Sequence, residues 1–148
     1  MIDVVVVDLD GTIADCTHRL HFIQGEVKDW DSFYNACKDD APIESMIKMV
    51  KALNERFYHI VFLTGRSEMA RSATDEWLVN NSLWDYDILL MRPLGDYRDD
   101  SIVKLELLKN YMDGRDDQVA FVLEDRSSVV KSFRDAGFKV LQVAEGNF

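Results

Sequence analysis

The sequence predicts an α/β fold in which helices cover both faces of a doubly wound parallel sheet. Short apolar runs rich in β-branched residues alternate with longer segments of helical periodicity, which is typical of repeated strand–helix units. Polar and charged residues follow directly after these runs, where ligands bind in such sheets. At 148 residues the chain has the length of one domain, which we assign to residues 1–148.

Five apolar runs predict the strands of the sheet. The first is nearly continuous and β-branched, as expected for a strand buried on both faces. The predicted strands lie at 2–9, 58–63, 87–91, 119–123 and 138–143.

Four amphipathic segments predict the helices that separate these strands. They run from Pro42 through Leu53, from the capping residue Ser67 to about Asn80, from Asp100 or Ser101 to Met112, and from beyond Asp125 to Ala136. In the third helix, helical spacing predicts an inward face formed by Ile102, Leu105, Leu108 and Met112.

Residues 13–41 follow the first strand and have a different character. Aromatic residues are mixed with charged ones, and no clean strand is visible. We expect a loop with short helices outside the sheet, forming a small cap insertion within the domain. Such aromatic side chains can stack on a base, as in proteins that bind single-stranded nucleic acid, or can merely pack the insertion onto the sheet.

Composition excludes several classes of protein. The net charge of −10 argues against a broad basic face that coats nucleic acid. The longest apolar run is too short to span a bilayer, and the first residues lack the basic leader of a signal peptide. Two cysteines without metal-binding spacing suggest free thiols in a reducing cytoplasm.

Chemically active residues occur where the predicted strands end. The set comprises Asp8 and Asp10, Thr64 and Arg66, Arg92, Glu124 and Asp125, with Lys104 near the start of the helix that follows Arg92. Two carboxylates held close repel each other, so a cation is expected between them. Oxygen ligands favour a hard ion, and we expect Mg²⁺ at Asp8 and Asp10, completed by Asp125.

This residue set suits phosphoryl transfer. Asp8 can attack phosphorus, and Asp10 can give and take the proton. Thr64, Lys104 and Arg66 can hold the phosphoryl oxygens. Each motif taken alone more often belongs to a turn or to the exposed surface. Response-regulator receiver domains gather similar residues at strand ends, but in a different chain order. The joint placement at strand ends favours a phosphatase.

The motifs resemble those of the haloacid dehalogenase (HAD) superfamily of phosphatases, which have a Rossmannoid sheet. Asp8-Leu9-Asp10-Gly11-Thr12 is similar to the first motif, Thr64 to the second, Lys104 to the third and Glu124-Asp125 to the fourth. The resemblance implies Asp8 as nucleophile and Asp10 as general acid/base. It also implies Mg²⁺ bound by Asp8, the backbone carbonyl of Asp10 and Asp125, with Glu124 as an outer or water-mediated ligand.

The second half of the chain resembles, more narrowly, the phosphatase domain of phage polynucleotide kinase-phosphatases, which removes 3′-phosphates from nucleic-acid ends. Matching segments include Leu63-Thr64-Gly65-Arg66, Gly95-Asp96-Tyr97-Arg98 after Arg92, and Glu124-Asp125-Arg126. The resemblance implies substrate contacts by Arg66 and Arg92, an Asp100 that orients Lys104, and a functional role for Arg19. Glu124 departs from the aspartate of the family, and no kinase phosphate-binding motif is present.

Three hypotheses of function remain from the sequence. The preferred one is a 3′-phosphatase acting on nucleic-acid ends, since a cap this short cannot enclose the site and a local arginine cluster would suit a terminal phosphate. That cluster would comprise Arg19, Arg66, Arg71, Arg92, Arg98 and Arg126. The alternatives are a nucleotide monophosphatase and a non-catalytic module that binds nucleic-acid ends. The sequence allows a separate kinase or ligase partner and does not determine the oligomeric state.

Overall fold

The computed structural model describes residues 3–148 and contains a five-stranded parallel sheet. Its strands are β1 (Val4–Val7), β4 (His59–Ser67), β5 (Ile88–Arg92), β6 (Val119–Glu124) and β7 (Val140–Gln142). They lie in the order β5-β4-β1-β6-β7, so the chain winds outward from β1 in both directions. This confirms the predicted doubly wound sheet, although Ile2, the first residue of the first predicted strand, lies outside the described residues.

Four helices cover the sheet, two on each face. They are α2 (Glu44–Glu55), α3 (Arg71–Asn80), α4 (Asp100–Met112) and α5 (Ser127–Asp135). Val5 and Val7 point into one apolar core with residues of α2 and α3, whereas Val4 and Val6 point into a second core with α4 and α5. The alternation of side chains along a strand therefore explains why β1 is apolar at every position.

Helix α4 corrects one prediction. Ile102 is 50% exposed, whereas Val103, Lys104, Leu108 and Met112 are buried. Successive helical residues are about 100° apart, so positions 102 and 104 point in nearly opposite directions. The helix turns Lys104 toward the sheet edge, and Ile102 therefore faces outward.

Two further helix starts differ from the predictions. The first of the four predicted helices, α2, begins at Glu44 and not at Pro42, because Pro42 belongs to a short strand. Ser67 does not cap α3 directly. Its Oγ accepts the Met69 amide at the start of a 3₁₀ segment, Glu68–Ala70, that precedes the helix.

The insertion contains short helices, as expected, but also two short strands. The strands β2 (Ala14–Asp15) and β3 (Ala41–Pro42) pair in antiparallel fashion and bring the two ends of the insertion together. Between them lie the 3₁₀ segments Thr17–Phe22 and Ala36–Asp39 and the helix α1 (Trp30–Asn35). Among residues 3–148, no helix is long and apolar enough to cross a membrane.

Candidate active site

Asp8 lies directly after β1, at the carboxyl edge of the sheet, and is only 3% exposed. Its Oδ1 accepts a hydrogen bond from Lys104 Nζ at 2.7 Å, and its Oδ2 accepts one from Thr12 Oγ1 at 2.9 Å. Gly11, with φ of +81°, makes the turn that positions Thr12. A Cβ at Gly11 would lie 2.1 Å from Asp125 Oδ2, so glycine also lets this loop approach the β6 edge.

Three acidic side chains form a compact cluster at this edge. Asp8, Glu124 and Asp125 offer carboxylate oxygens that all lie within 4.8 Å of one another. Burial, reinforced by the charge of Glu124, raises the pKa of Asp8 well above its usual range. Burial likewise raises the pKa of Asp125 to about 6. The cluster therefore has unbalanced negative charge, and its oxygen ligands fit a hard divalent cation such as Mg²⁺.

Lys104 supplies positive charge to the cluster. Its Nζ also donates to Glu124 Oε2 at 2.8 Å, and it is 2% exposed. Burial disfavours the ammonium, but the carboxylates of Asp8 and Glu124 outweigh this and raise the pKa of Lys104 above its usual value. Glu124 Oε1 accepts the backbone amides of Asp125 and Arg126 at 3.1 and 3.0 Å. Both oxygens of Glu124 are thus engaged, which leaves Asp125 better placed to contact a metal.

Thr64 is buried in β4, next to β1. Its Oγ1 accepts the backbone N–H of Arg66 at 3.2 Å. Because that contact uses only the oxygen as an acceptor, the hydroxyl proton remains able to donate.

Asp10 faces two buried arginines, one from the insertion and one from β4. Its Oδ1 accepts Arg19 Nη2 at 2.7 Å and Arg66 Nη2 at 2.6 Å. Burial opposes the charge of Asp10, but the guanidiniums of Arg66 and Arg19 lower its pKa overall. Arg66 Nη1 also donates to Thr74, so each of the three guanidinium nitrogens of Arg66 donates to a protein group. The structure therefore places Arg66 and Arg19 around Asp10.

Asp40 is a member of this site that the sequence analysis missed. It is 4% exposed, and its carboxylate accepts Arg19 Nε at 2.7 Å and Arg66 Nη2 at 2.9 Å. His18 Nε2 lies 2.7 Å from Asp40 Oδ1, and Trp77 Nε1 donates to the Asp40 carbonyl. No motif marks Asp40, and its only sequence signal is its place near the end of the 13–41 insertion.

Asp100 has partners other than the expected one. Its Oδ1 accepts from Arg92 Nη2, and its Oδ2 accepts from Arg126 Nη1 at 2.9 Å. Lys104 lies one turn further along α4, and its hydrogen bonds go to Asp8 and Glu124. Burial opposes the charge of Asp100, but the charge of Lys104, followed by those of the two arginines, lowers its pKa. Asp100 thus acts on Lys104 through charge.

Gly65 permits the approach of α4 to β4. A Cβ at this position would lie 2.3 Å from Asp100 Oδ1, and the Gly65 carbonyl accepts Arg92 Nε at 2.9 Å. The absence of a side chain at Gly65 therefore allows Asp100 and Arg92 to meet beside the acidic cluster.

Two arginines of the predicted cluster are engaged elsewhere on the surface. Arg71 pairs with Glu68, and Arg98 pairs with Asp96 and Glu106. Arg19, Arg66, Arg92 and Arg126 contact the aspartates of the site, so four of the six expected arginines surround it.

The sequence matches a known protein family and a viral protein over most of its length. Residues 2–148 match the family described as "Polynucleotide kinase PNKP phosphatase domain". The chain is 35% identical over 136 residues to a candidate bifunctional polynucleotide kinase/RNA ligase of Autographa californica nuclear polyhedrosis virus, covering 88% of this chain and 18% of the viral protein.

Solved structures show the same fold. A chain in the structure of the Pnkp1/Rnl/Hen1 RNA repair complex superposes with a TM-score of 0.82 at 29% identity, over all of this chain and 44% of that one. A haloacid dehalogenase-like hydrolase of Streptococcus pneumoniae superposes with a TM-score of 0.67 at 14% identity, over 95% of this chain and 84% of that one. The chain spans less than half the length of the polynucleotide-repair relatives. It belongs to the family of polynucleotide kinase PNKP phosphatase domains and is a phosphatase of the HAD superfamily.

Proposed function

We propose that this domain removes 3′-phosphates from nucleic-acid ends through a phospho-aspartyl intermediate on Asp8. The observation that carries the proposal is the buried Asp8 carboxylate, held by Lys104 and Thr12 beside Glu124 and Asp125. The family match supports polynucleotide ends as the substrate class. Residues 13–41 are proposed to act as a small cap within a single domain.

In the first step, a carboxylate oxygen of Asp8 attacks phosphorus and forms an acyl phosphate, while the bond between phosphorus and the 3′-oxygen breaks. Asp10 must first take up a proton at its free Oδ2, against the lowering of its pKa by Arg66 and Arg19, and it then gives this proton to that leaving oxygen. In the second step, water attacks the acyl phosphate, Asp10 takes its proton, and inorganic phosphate is released with Asp8 restored. Thr64 and Lys104 donate to the phosphoryl oxygens and stabilise their charge.

Asp10 is oriented for this role by its arginine partners. Its Oδ1 accepts all the hydrogen bonds from Arg19 and Arg66, and within residues 3–148 its Oδ2 has no such donor. The free oxygen is therefore available to the leaving group. Arg66 and Arg19 act on the substrate through Asp10. Arg92 is proposed to act on the phosphate region by its charge, since its three nitrogens donate to Asp100 and to backbone carbonyls.

Mg²⁺ would be held by Asp8, the backbone carbonyl of Asp10 and Asp125, and would supply positive charge against the phosphoryl group. Glu124 is assigned an outer role, since both its oxygens are occupied by Lys104 and backbone amides. The excess negative charge of the acidic cluster supports this assignment.

We expect 3′-phosphorylated single-stranded oligonucleotides to be turned over with at least about tenfold higher kcat/KM than mononucleotides, because binding energy from the rest of the strand contributes to catalysis. Release of inorganic phosphate from a panel of both substrate types measures this. A 5′-phosphorylated oligonucleotide is the matched control. Equal or faster turnover of mononucleotides would instead support the nucleotide monophosphatase.

We expect EDTA to abolish turnover and Mg²⁺ in excess over the chelator to restore it. Mg²⁺ should also raise the melting temperature, because a ligand that binds only the folded state stabilises it. Asp125→Asn should weaken this thermal stabilisation, whereas Asp117→Asn, at an exposed position outside the site, should not. Full activity in excess EDTA would contradict the proposed metal site.

A kinase or ligase is proposed to act alongside this domain, either on a separate chain or on another part of a longer one. The support is that one relative is described as both a kinase and a ligase, and another occurs in an RNA repair complex. A cytoplasmic location stays a prediction.

A further inference from the structure

The insertion carries a stacked aromatic pair on helix α1. The rings of Trp30 and Tyr34 lie with centroids 5.8 Å apart and planes inclined by 26°. The two residues are four positions apart and so share one helix face. Trp30 is 42% exposed, and Lys28 Nζ lies 5.7 Å from its ring centroid. A partly exposed indole is therefore combined with a cation over its ring.

Phe33 and Arg19 connect this aromatic pair to the catalytic centre. Phe33 is buried and meets the Trp30 ring nearly perpendicularly, with centroids 5.8 Å apart. The Arg19 guanidinium carbon lies 4.4 Å from the Phe33 ring centroid, and the same guanidinium binds Asp10. The position of Trp30 is thus set by a buried contact chain that ends at Asp10.

Tyr34 forms the inner end of the pair, next to the active site. Helix α1 packs against Glu68–Ala70, the segment that follows β4. Burial raises the pKa of the Tyr34 hydroxyl, and the charges of Arg92, Asp100 and Asp10 also act on it. The hydroxyl therefore lies within reach of the charges at the site, while the partner ring, Trp30, is open to solvent.

We propose that the partly exposed indole of Trp30 stacks on the base of the nucleotide that carries the 3′-phosphate, and that Lys28, which lies over this ring, moves aside to bind a neighbouring backbone phosphate. This inference rests on the proposed function, which it makes more specific. A nucleobase fits a flat aromatic surface with an adjacent cation, since every base has a π-face and every linkage has a charge. A base at a duplex end is already stacked and paired, so unpaired ends are the preferred substrates.

Trp30→Ala tests the stacking directly when two single-stranded 3′-phosphorylated oligonucleotides are compared. One has a normal terminal nucleotide, and the other has an abasic terminal sugar. We expect kcat/KM for the normal substrate to fall by about 5- to 150-fold, the loss of one stacked base, and that for the abasic substrate to stay within about twofold. Trp30→Phe should retain most of the activity.

Trp84→Ala is the matched control. Trp84 is 68% exposed and lies between α3 and β5, near the amino end of β5, whereas the site lies at the carboxyl ends of the strands. Trp84→Ala should leave kcat/KM unchanged for both substrates. A binding readout uses the Asp8→Asn protein, whose tryptophan fluorescence should be quenched by the normal oligonucleotide, with most of the quenching lost when Trp30→Phe is added.

An equal loss on both substrates, or no loss on either, would overturn the stacking role of Trp30 and leave the 3′-phosphatase proposal intact. Failure of the unsubstituted protein to act on any 3′-phosphorylated oligonucleotide, while it hydrolyses mononucleotides, would overturn the proposed function and this inference with it.

Discussion

Asp8→Asn is expected to lower phosphatase turnover by roughly 10⁴-fold or more, the scale seen when an enzyme loses its nucleophile. The asparagine amide keeps the size of the side chain but cannot form an acyl phosphate. Steady-state release of inorganic phosphate from a 3′-phosphorylated oligonucleotide measures the loss. The fold should be retained, because Lys104 still pairs with Glu124.

A labelling experiment separates loss of the nucleophile from loss of the site. Acid-quenched protein should retain radiolabelled phosphate from the substrate when Asp8 is present, and no label after Asp8→Asn. Asp117→Asn, an exchange of the same kind at an exposed position, should leave turnover and labelling unchanged. Unaltered activity of the Asp8→Asn protein would show that the proposed mechanism is wrong.

Asp40→Ala is expected to lower both the free energy of unfolding and the activity. The substitution removes one of the two carboxylates that bind the buried guanidiniums of both Arg19 and Arg66, and only Asp10 then remains shared between them. Removing one partner of a buried ion pair costs about 3–5 kcal/mol. Urea unfolding monitored by circular dichroism measures the stability. The kcat should also fall, because the same arginines hold Asp10.

The neighbouring residue provides the control for this prediction. Asp39 is exposed, so Asp39→Ala should change stability by less than about 0.5 kcal/mol and leave kcat unaffected. Asp40→Asn should separate the loss of the side chain from the loss of its charge, because the amide preserves the shape and its oxygen still accepts a hydrogen bond, but it lacks the charge. An Asp40→Ala protein with unchanged stability and kcat would contradict a central role for this carboxylate.

The strand-end residues were predictable because a parallel sheet brings the carboxyl ends of its strands to one edge. The sequence order of Asp8, Thr64, Lys104 and Asp125 therefore implied a common location, and the structure brings Asp8, Lys104 and Asp125 together. Ile102 shows the limit of periodicity. Helix α4 contains both apolar residues and the buried Lys104. Only the position of the helix relative to the carboxyl edge of the sheet decides which of its faces turns inward.

The partners of the charged side chains could not be predicted in the same way. Asp40 is 30 residues from Asp10 in the sequence and carries no motif, yet both bind Arg19 and Arg66. Likewise, Asp100 at the start of α4 pairs with Arg92 at the end of β5 and with Arg126 just after β6. Such contacts depend on how loops and helices pack, and the identity of either residue alone does not specify them.

The sequence by itself determined the sheet, the Asp8-to-Thr12 motif and the phosphatase class, because apolar runs and the polar residues that follow them are local patterns that can be recognised before the fold is known. Only the tertiary structure decided how Asp10 is held, that Asp40 joins the site, and that Trp30 stands exposed on an insertion anchored through Phe33 and Arg19. The physical reason is that hydrogen bonds and ring contacts join residues distant in the chain. Their energies depend on distance and burial, which exist only once the chain has folded.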